Sequence, residues 1–383
     1  MTGKGRGLSR RNLLRRLTGG VVTAAIPTLA RGGVLWAEDL ATPAGPICLS
    51  RNENAYGPSK KVVAAMQEAA ANAANRYPEL EAEALRLKIA ALHGVVPTQV
   101  VLGCGSTEIM RMAVDVFAGA AKKLLVALPT ADVVTGFAHR TGAEVLAVPL
   151  TRNRAHDLNA MLVRTDARTG LVYICNPNNP TGTLTPRREI EAFVRSLPAT
   201  TFVLIDEAYH HYVGKSADYA SFIDRPLDDH RVIVTRSFSK IYGLAGLRVG
   251  YAIAASATAR ALTSQRLPQG VNMVAAKATL AALDDTDHVL TSARRNADDR
   301  QEFCNQANAR MLRTMGSQTN FVMLNAGPAA AEIVQHFKKH NIILPQPVPS
   351  FEAYIRVSLG TAADMNEFWH VWDLAPRYGM AHM

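Results

Sequence analysis

The sequence predicts an α/β protein: a large domain built on a mostly parallel central sheet, with a smaller α+β domain beside it. Three observations carry this expectation. Between about residues 100 and 254, apolar runs rich in β-branched residues alternate with helical periodicity, the pattern of strands buried on both faces. Loops rich in Gly and Asn follow the ends of those runs, where α/β sheets place their ligands. Past about residue 265 the period changes and helical stretches take over.

Taken in order, Leu40–Asn54 reads as an extended arm carrying Pro43 and Pro46. Ser59 is placed to cap a helix over Lys60–Ala74, and a second helix covers Glu79–His93. Strands are expected at Leu124–Leu128, Val145–Val148, Leu171–Cys175, Phe202–Ile205, Val232–Thr235 and Val249–Ile253. One long helical stretch then spans Val274–Gln306. It is followed by a strand at Phe321–Leu324, a helix near Ala330–His340 and a strand at Tyr354–Ser358. The expected organisation is a signal segment over 1–37, an arm and part of the small domain over 38–70, the large domain over 71–268 and the small domain over 269–383.

The chain has 383 residues, 48% of them apolar and 19% charged, which excludes a disordered protein and leaves ample core. A formal net charge of +10 would suit a nucleic-acid or membrane partner, but its distribution argues otherwise. Lys4, Arg6, Arg10, Arg11, Arg15, Arg16 and Arg31 fall in residues 1–37 with no acid, and the remainder carries only about +3. That segment has a basic start, an apolar run from Leu17 to Leu29 and small residues at Ala30 and Ala37, the layout of an export signal. Arg10-Arg11 followed by Leu13-Leu14 is similar to the twin-arginine type. Export machinery and an extracytoplasmic location are therefore expected; a basic tail or transit peptide is the alternative. The run is too short and too rich in Gly, Thr and Pro to span a membrane. Cys48, Cys104, Cys175 and Cys304 show neither CxxC spacing nor close pairing, so free thiols are expected.

The chemistry concentrates in a few loops. Lys240 lies in Arg236-Ser237-Phe238-Ser239-Lys240, and Arg248 follows in a glycine-rich run ending at Gly250. A lysine flanked by hydroxyls, then glycines and a second cation, reads as a Schiff-base lysine beside a phosphate cup. Asp206 ends an apolar strand, so its carboxylate is expected to be buried and to need a cationic partner. Tyr209 is three residues on. The turn Asn176–Gly182 presents Asn179 as a second hydrogen-bond donor beside Tyr209. Gly105, Ser106 and Thr107 open a helix whose N-terminal amides suit a phosphate, joined by Ser237, Ser239 and Arg248. An amine, a buried anion for a ring nitrogen, donors for a phenolic oxygen and a phosphate cradle are what pyridoxal 5'-phosphate requires of a protein. Lys240, Asp206 and Tyr209 are the candidate catalytic residues.

The ordered set Asn52–Pro58, Arg76-Tyr77-Pro78, Gly103–Glu108, Asn176–Gly182, Asp206–Tyr209, Ser237–Gly250, Thr319-Asn320-Phe321 and Arg356–Gly360 resembles the class I/II aminotransferases of fold type I. Histidinol-phosphate aminotransferases are the nearest in pattern, over about residues 45–365. The resemblance implies a fold type I PLP-dependent transferase and a homodimer with shared active sites. It also implies an amino donor and a 2-oxo acid acceptor. It assigns Tyr77 to the partner's cofactor phosphate, Tyr56 to the partner's substrate pocket, and Arg356, with Asn179 nearby, to the substrate's anionic group. Two departures stand out. Many relatives have a ring-stacking aromatic after Pro-Thr, where this chain has Ala131, and an arginine before the final strand, where this chain has Gln346.

Three functions follow. An aminotransferase acting on an amino acid or amino alcohol leads; another PLP reaction such as decarboxylation or oxidation, or a non-catalytic binding protein, are the alternatives. No metal is expected. His336 and His340 lack an accompanying acid cluster, and Tyr209 and Lys240 account for the segment holding His210-His211. Trp369 and Trp372 read as packing residues.

Overall fold

The structure is a computed structural model that describes residues 45–376; the signal segment expected at 1–37 lies outside them. The strands are β1 (Ile47–Cys48), β2 (Val100–Cys104), β3 (Lys123–Leu128), β4 (Glu144–Pro149), β5 (Thr169–Cys175), β6 (Phe202–Asp206), β7 (Val232–Ser237), β8 (Val249–Ala254), β9 (Phe321–Asn325), β10 (Ile342–Ile343) and β11 (Tyr354–Ser358). The helices are α1 (Lys60–Asn72), α2 (Glu79–His93), α3 (Gly105–Phe117), α4 (Val133–Thr141), α5 (Leu158–Arg164), α6 (Arg187–Ser196), α7 (Ser256–Thr263), α8 (Met273–Leu283), α9 (Thr286–Ala309), α10 (Ala330–Lys339) and α11 (Ala362–Asp373).

Seven strands form the central sheet in the order β2-β8-β7-β6-β5-β3-β4. β8 runs antiparallel to both its neighbours and the other pairs are parallel, which matches the mostly parallel sheet read from the sequence. Every residue of β5 is buried, as expected of a strand covered on both faces. Alternation then sorts the side chains. Val172, Ile174, Val203, Ile205 and Val234 join one core, while Leu171, Tyr173, Cys175, Leu204 and Ile233 join the core on the opposite face. Asp206 lies opposite Cys175 on one side and opposite Thr235 on the other, at the carboxyl edge of the sheet.

A third core gathers Leu49, Phe303, Phe337, Phe368, Trp369 and Trp372 around β9, β11, α10 and α11, which gives the two tryptophans their packing role. The arm is stitched to it: β1 pairs with β10, and the Asn52 amide donates to Ser358 Oγ at 2.8 Å. α1 turns the other way, with Val62 buried in the core of the central sheet. Ser59 caps α1 as anticipated, accepting from the Val62 amide at 3.3 Å. One expectation needs correcting. The single helical stretch over Val274–Gln306 is two helices, α8 and α9, broken at Asp284-Asp285. The Asp285 carboxylate accepts the His288 amide at 3.4 Å, and a short acidic side chain that caps a new helix offers the backbone an alternative to continuing the old one.

Candidate active site

Asp206 is only 4% exposed at the end of β6. Its Oδ2 accepts the Tyr173 hydroxyl at 3.1 Å, with Cys175 Sγ at 4.0 Å. Its Oδ1 accepts the Ala208 amide at 3.1 Å and Thr235 Oγ1 at 3.3 Å. Burial pushes the Asp206 carboxyl up to about 6, against the pull of these donors and of the Lys240 charge. Lys240, half-buried, donates from Nζ to the carbonyls of Arg51 at 3.1 Å and Asn52 at 2.9 Å. Burial, with the charges of Arg356 and Arg248, brings it down to about 8. Its Nζ stands 5.5 Å from the centroid of the Tyr209 ring. The Tyr209 hydroxyl accepts Asn52 Nδ2 at 2.9 Å, which leaves its proton free to donate elsewhere, and burial holds the phenol well above its usual range.

The cradle residues converge from three segments. α3 begins at Gly105, and Ser237 ends β7 beside it across β8. Arg248 sits with φ +57°, donating from Nη1 to Ser239 Oγ at 3.2 Å and to the Ala245 carbonyl at 3.1 Å, and from Nη2 to Thr107 Oγ1 at 3.4 Å. Among the described residues no carboxylate pairs with Arg248. The approach is close enough to demand glycine. A Cβ on Gly105 (φ +73°) would lie 2.3 Å from Arg248 Nη2, and one on Gly250 would lie 2.2 Å from the Ser106 amide nitrogen. Ser106 is buried here, as are Ser237 and Ser239.

Arg356 lies on β11. Its Nη1 donates to Asn179 Oδ1 at 2.6 Å and its Nη2 to the Ser50 carbonyl at 2.6 Å. A guanidinium can only donate, so this contact fixes the Asn179 amide with its nitrogen free as a donor. Arg356 Nε is buried with no partner, and so is Asn320 Oδ1. Asn320 Nδ2 donates to the carbonyls of Asn52 at 3.1 Å and Glu53 at 3.0 Å. Buried polar atoms are rarely left unpaired, so these two mark where a ligand belongs.

Lys240, Asp206, Tyr209, Asn179, Arg356 and the cradle thus share one region. Tyr77 does not join them within the chain: it is 75% exposed. Tyr56 is half-buried under the Arg295 guanidinium, 4.2 Å from its ring centroid, and burial with the nearby Asp299 charge pushes its phenol up to about 12. Ala131 packs against the apolar core and Gln346 is exposed. Sequence reasoning missed Asn52, Asn320 and Tyr173 as site residues, although it quoted the segments around the first two. The signal in Asn52 is a left-handed backbone at φ +53°, which asparagine tolerates and a buried arm residue needs a reason to adopt. A cavity of about 610 Å³ is lined by residues such as Pro78, Glu108 and Arg266 and includes neither Lys240 nor Asp206. His210 and His211 line another, of about 340 Å³; burial first, then the Arg236 charge, push them down to about 2 and about 3, so both are neutral at ordinary pH.

The donor set fits pyridoxal phosphate on structural grounds. A buried acid without an ion-pair partner, a lysine poised near neutrality, a cation that meets only hydroxyls and a carbonyl, and two orphaned polar atoms occur together. The comparisons agree. The model of the family "Aminotransferase class I and II" matches residues 44–371. The histidinol-phosphate aminotransferase of Caldicellulosiruptor saccharolyticus is 34% identical over 323 residues, covering 84% of this chain and 89% of that protein. That of Moorella thermoacetica is also 34% identical over 323 residues, covering 84% and 83%. The crystal structure of histidinol-phosphate aminotransferase from Sinorhizobium meliloti in complex with pyridoxal-5'-phosphate superposes with a TM-score of 0.80 at 28% identity, covering 86% of this chain and 92% of that one. The chain belongs to the class I and II aminotransferase family and is a pyridoxal-phosphate-dependent aminotransferase of fold type I.

Proposed function

We propose that this aminotransferase moves an amino group from an amino acid or amino alcohol to a 2-oxo acid, with Lys240 as the amine that carries the cofactor. Pyridoxal phosphate supplies, when bound, an electron sink for the pair left at the substrate Cα after its proton departs. The rest falls to the chain. Lys240, brought down to about 8, has a neutral amine available near physiological pH to take the Cα proton and return it. Asp206, ionised above about 6, holds the proton on the ring nitrogen. Tyr209 and the Asn179 amide nitrogen donate to the phenolic oxygen, while Arg248, Thr107, Ser106, Gly105, Ser237 and Ser239 hold the phosphate.

The single observation that carries the substrate reading is Arg356, half-buried beside Asn179 with its Nε buried and unpaired. A substrate carboxylate satisfies that N–H, and a guanidinium is suited to hold such a group with paired hydrogen bonds. Gln346, exposed and uncharged, adds no second cation for a phosphate, which favours carboxylate-bearing substrates over the phosphorylated donor in the relatives' names. The test is a panel of amino acids and amino alcohols offered to the PLP-loaded protein with 2-oxo acid acceptors. Turnover with at least one pair is expected, falling at least about 1,000-fold in Lys240→Ala. Turnover retained by that variant would sink the assignment.

The reading includes a homodimer in which Tyr77 reaches the partner's cofactor phosphate and Tyr56 the partner's substrate pocket; the exposure of Tyr77 supports it. It also includes twin-arginine export, supported by Arg10-Arg11 and the apolar run after them. Replacing both arginines by lysine is expected to strand the protein in the cytoplasm. An unchanged distribution on fractionation, or a single-chain mass by light scattering, removes the corresponding part.

A further inference from the structure

We propose that Tyr173 is a positioning residue for Asp206: its buried hydroxyl, reaching across from β5, keeps that carboxylate ionised and oriented toward the cofactor's ring nitrogen. The inference rests on the reading that Asp206 faces that nitrogen.

The sheet register places Tyr173 there. Cys175 is directly opposite Asp206, and Tyr173, two residues earlier, projects from the same face at the diagonal position, within reach of an aromatic side chain. Tyr173 is fully buried among apolar side chains, and a phenol so placed must find an acceptor. It finds Asp206 Oδ2, at 3.1 Å.

The groups facing Asp206 show why this contact matters more than the rest. Oδ1 has two donors, the Ala208 amide and Thr235 Oγ1 from β7. Oδ2 has Tyr173 and, more distantly, Cys175 Sγ, whose shorter contact is with the Pro177 carbonyl at 3.2 Å. Tyr209, on the turn after β6, accepts Asn52 Nδ2 at its hydroxyl and makes no hydrogen bond to Asp206, and Lys240 acts on Asp206 only through space. Tyr173 therefore supplies the principal hydrogen bond to one of the two carboxylate oxygens. Burial favours the protonated acid, and the Tyr173 bond is the largest contribution opposing it.

The sign is fixed by this balance. A donor to the carboxylate favours its charged form, so deleting the hydroxyl makes Asp206 take up a proton at higher pH. Below that pH the site has no anion to offer a pyridinium. Packing alone predicts a different signature: a loss of affinity equal at every pH.

The experiment measures the dissociation constant of pyridoxal phosphate from the apoenzyme between about pH 5.5 and about pH 9, for wild type and Tyr173→Phe. Tyr173→Met, which also lacks a donor but adapts its shape, stands in should the phenylalanine variant not fold. For a change of about one unit in Asp206, binding is expected to weaken about fivefold near about pH 6 and to lie within about twofold of wild type at about pH 9. Affinity lost in parallel at every pH, or not lost at all, overturns the inference. Failure of the wild type itself to bind overturns the cofactor assignment beneath it.

Discussion

At the end of β6 two adjacent acids face opposite sides of the central sheet, and each is buried in different company. Glu207, 1% exposed, is fully partnered: Arg236 donates from Nε and Nη2 at 3.2 Å each, Ser221 Oγ at 2.6 Å and the Phe222 amide at 2.7 Å. Asp206 is almost as deep and has only neutral donors in contact. A buried charge needs a counter-charge, and where the chain supplies none a ligand does. One face of the strand end is finished by the fold; on the other, we propose that the cofactor supplies the missing cation. Buried carboxylates alone do not mark a catalytic site, but a buried carboxylate left without a cation does.

Exchanging each acid for its amide tests that contrast. Asp206→Asn is expected to lower turnover at least about 100-fold, because the anion proposed to face the ring nitrogen is gone, while the melting temperature of the apoenzyme changes little. Glu207→Gln is expected to reverse the pattern. Leaving Arg236 buried and under-compensated costs about 3 kcal/mol of stability, read by denaturant titration, with the cofactor spectrum retained in whatever remains folded. If both variants behave alike, the two faces are not different in kind. A smaller effect concerns pH. Asp206 is held up at about 6 and must be ionised to pair, so cofactor affinity is expected to fall as pH drops through about 6. Lys240 is held down at about 8 and must be neutral to attack the aldehyde, so reconstitution of the apoenzyme is expected to speed up as pH rises toward about 8 and then level off. Flat profiles, checked by stopped-flow absorbance, would remove the burial argument for both groups.

The site was legible where its chemistry is local. Lys240 with its flanking hydroxyls, the glycine run before Arg248, and Asp206 at the end of an apolar strand each declare a role within a few residues. Its substrate end was less so. Arg356, Asn179, Asn52, Asn320 and Ser50 lie up to 306 residues apart, and only the stitching of the arm to β11 and the pairing of β11 with β9 bring them together. Tyr173 was invisible for a simpler reason. In sequence it is one more apolar-face residue of a buried strand, and its hydroxyl acquires meaning only through the register that sets Cys175 opposite Asp206. The split of Val274–Gln306 into two helices belongs with it, since periodicity continues across Asp284-Asp285 although the backbone does not.

The amino-acid order by itself determined the alternation of buried strands and helices, the caps and glycines at their ends, and the identity of the groups offered to a cofactor. Those depend on periodicity, backbone freedom and side-chain chemistry, which are properties of short stretches. The tertiary structure alone decided which buried acid keeps a cation and which awaits one, and which polar atoms stay unpaired. Desolvation and hydrogen-bond satisfaction depend on every neighbour in space, and those neighbours come from strands whose order in the sheet differs from their order in the chain.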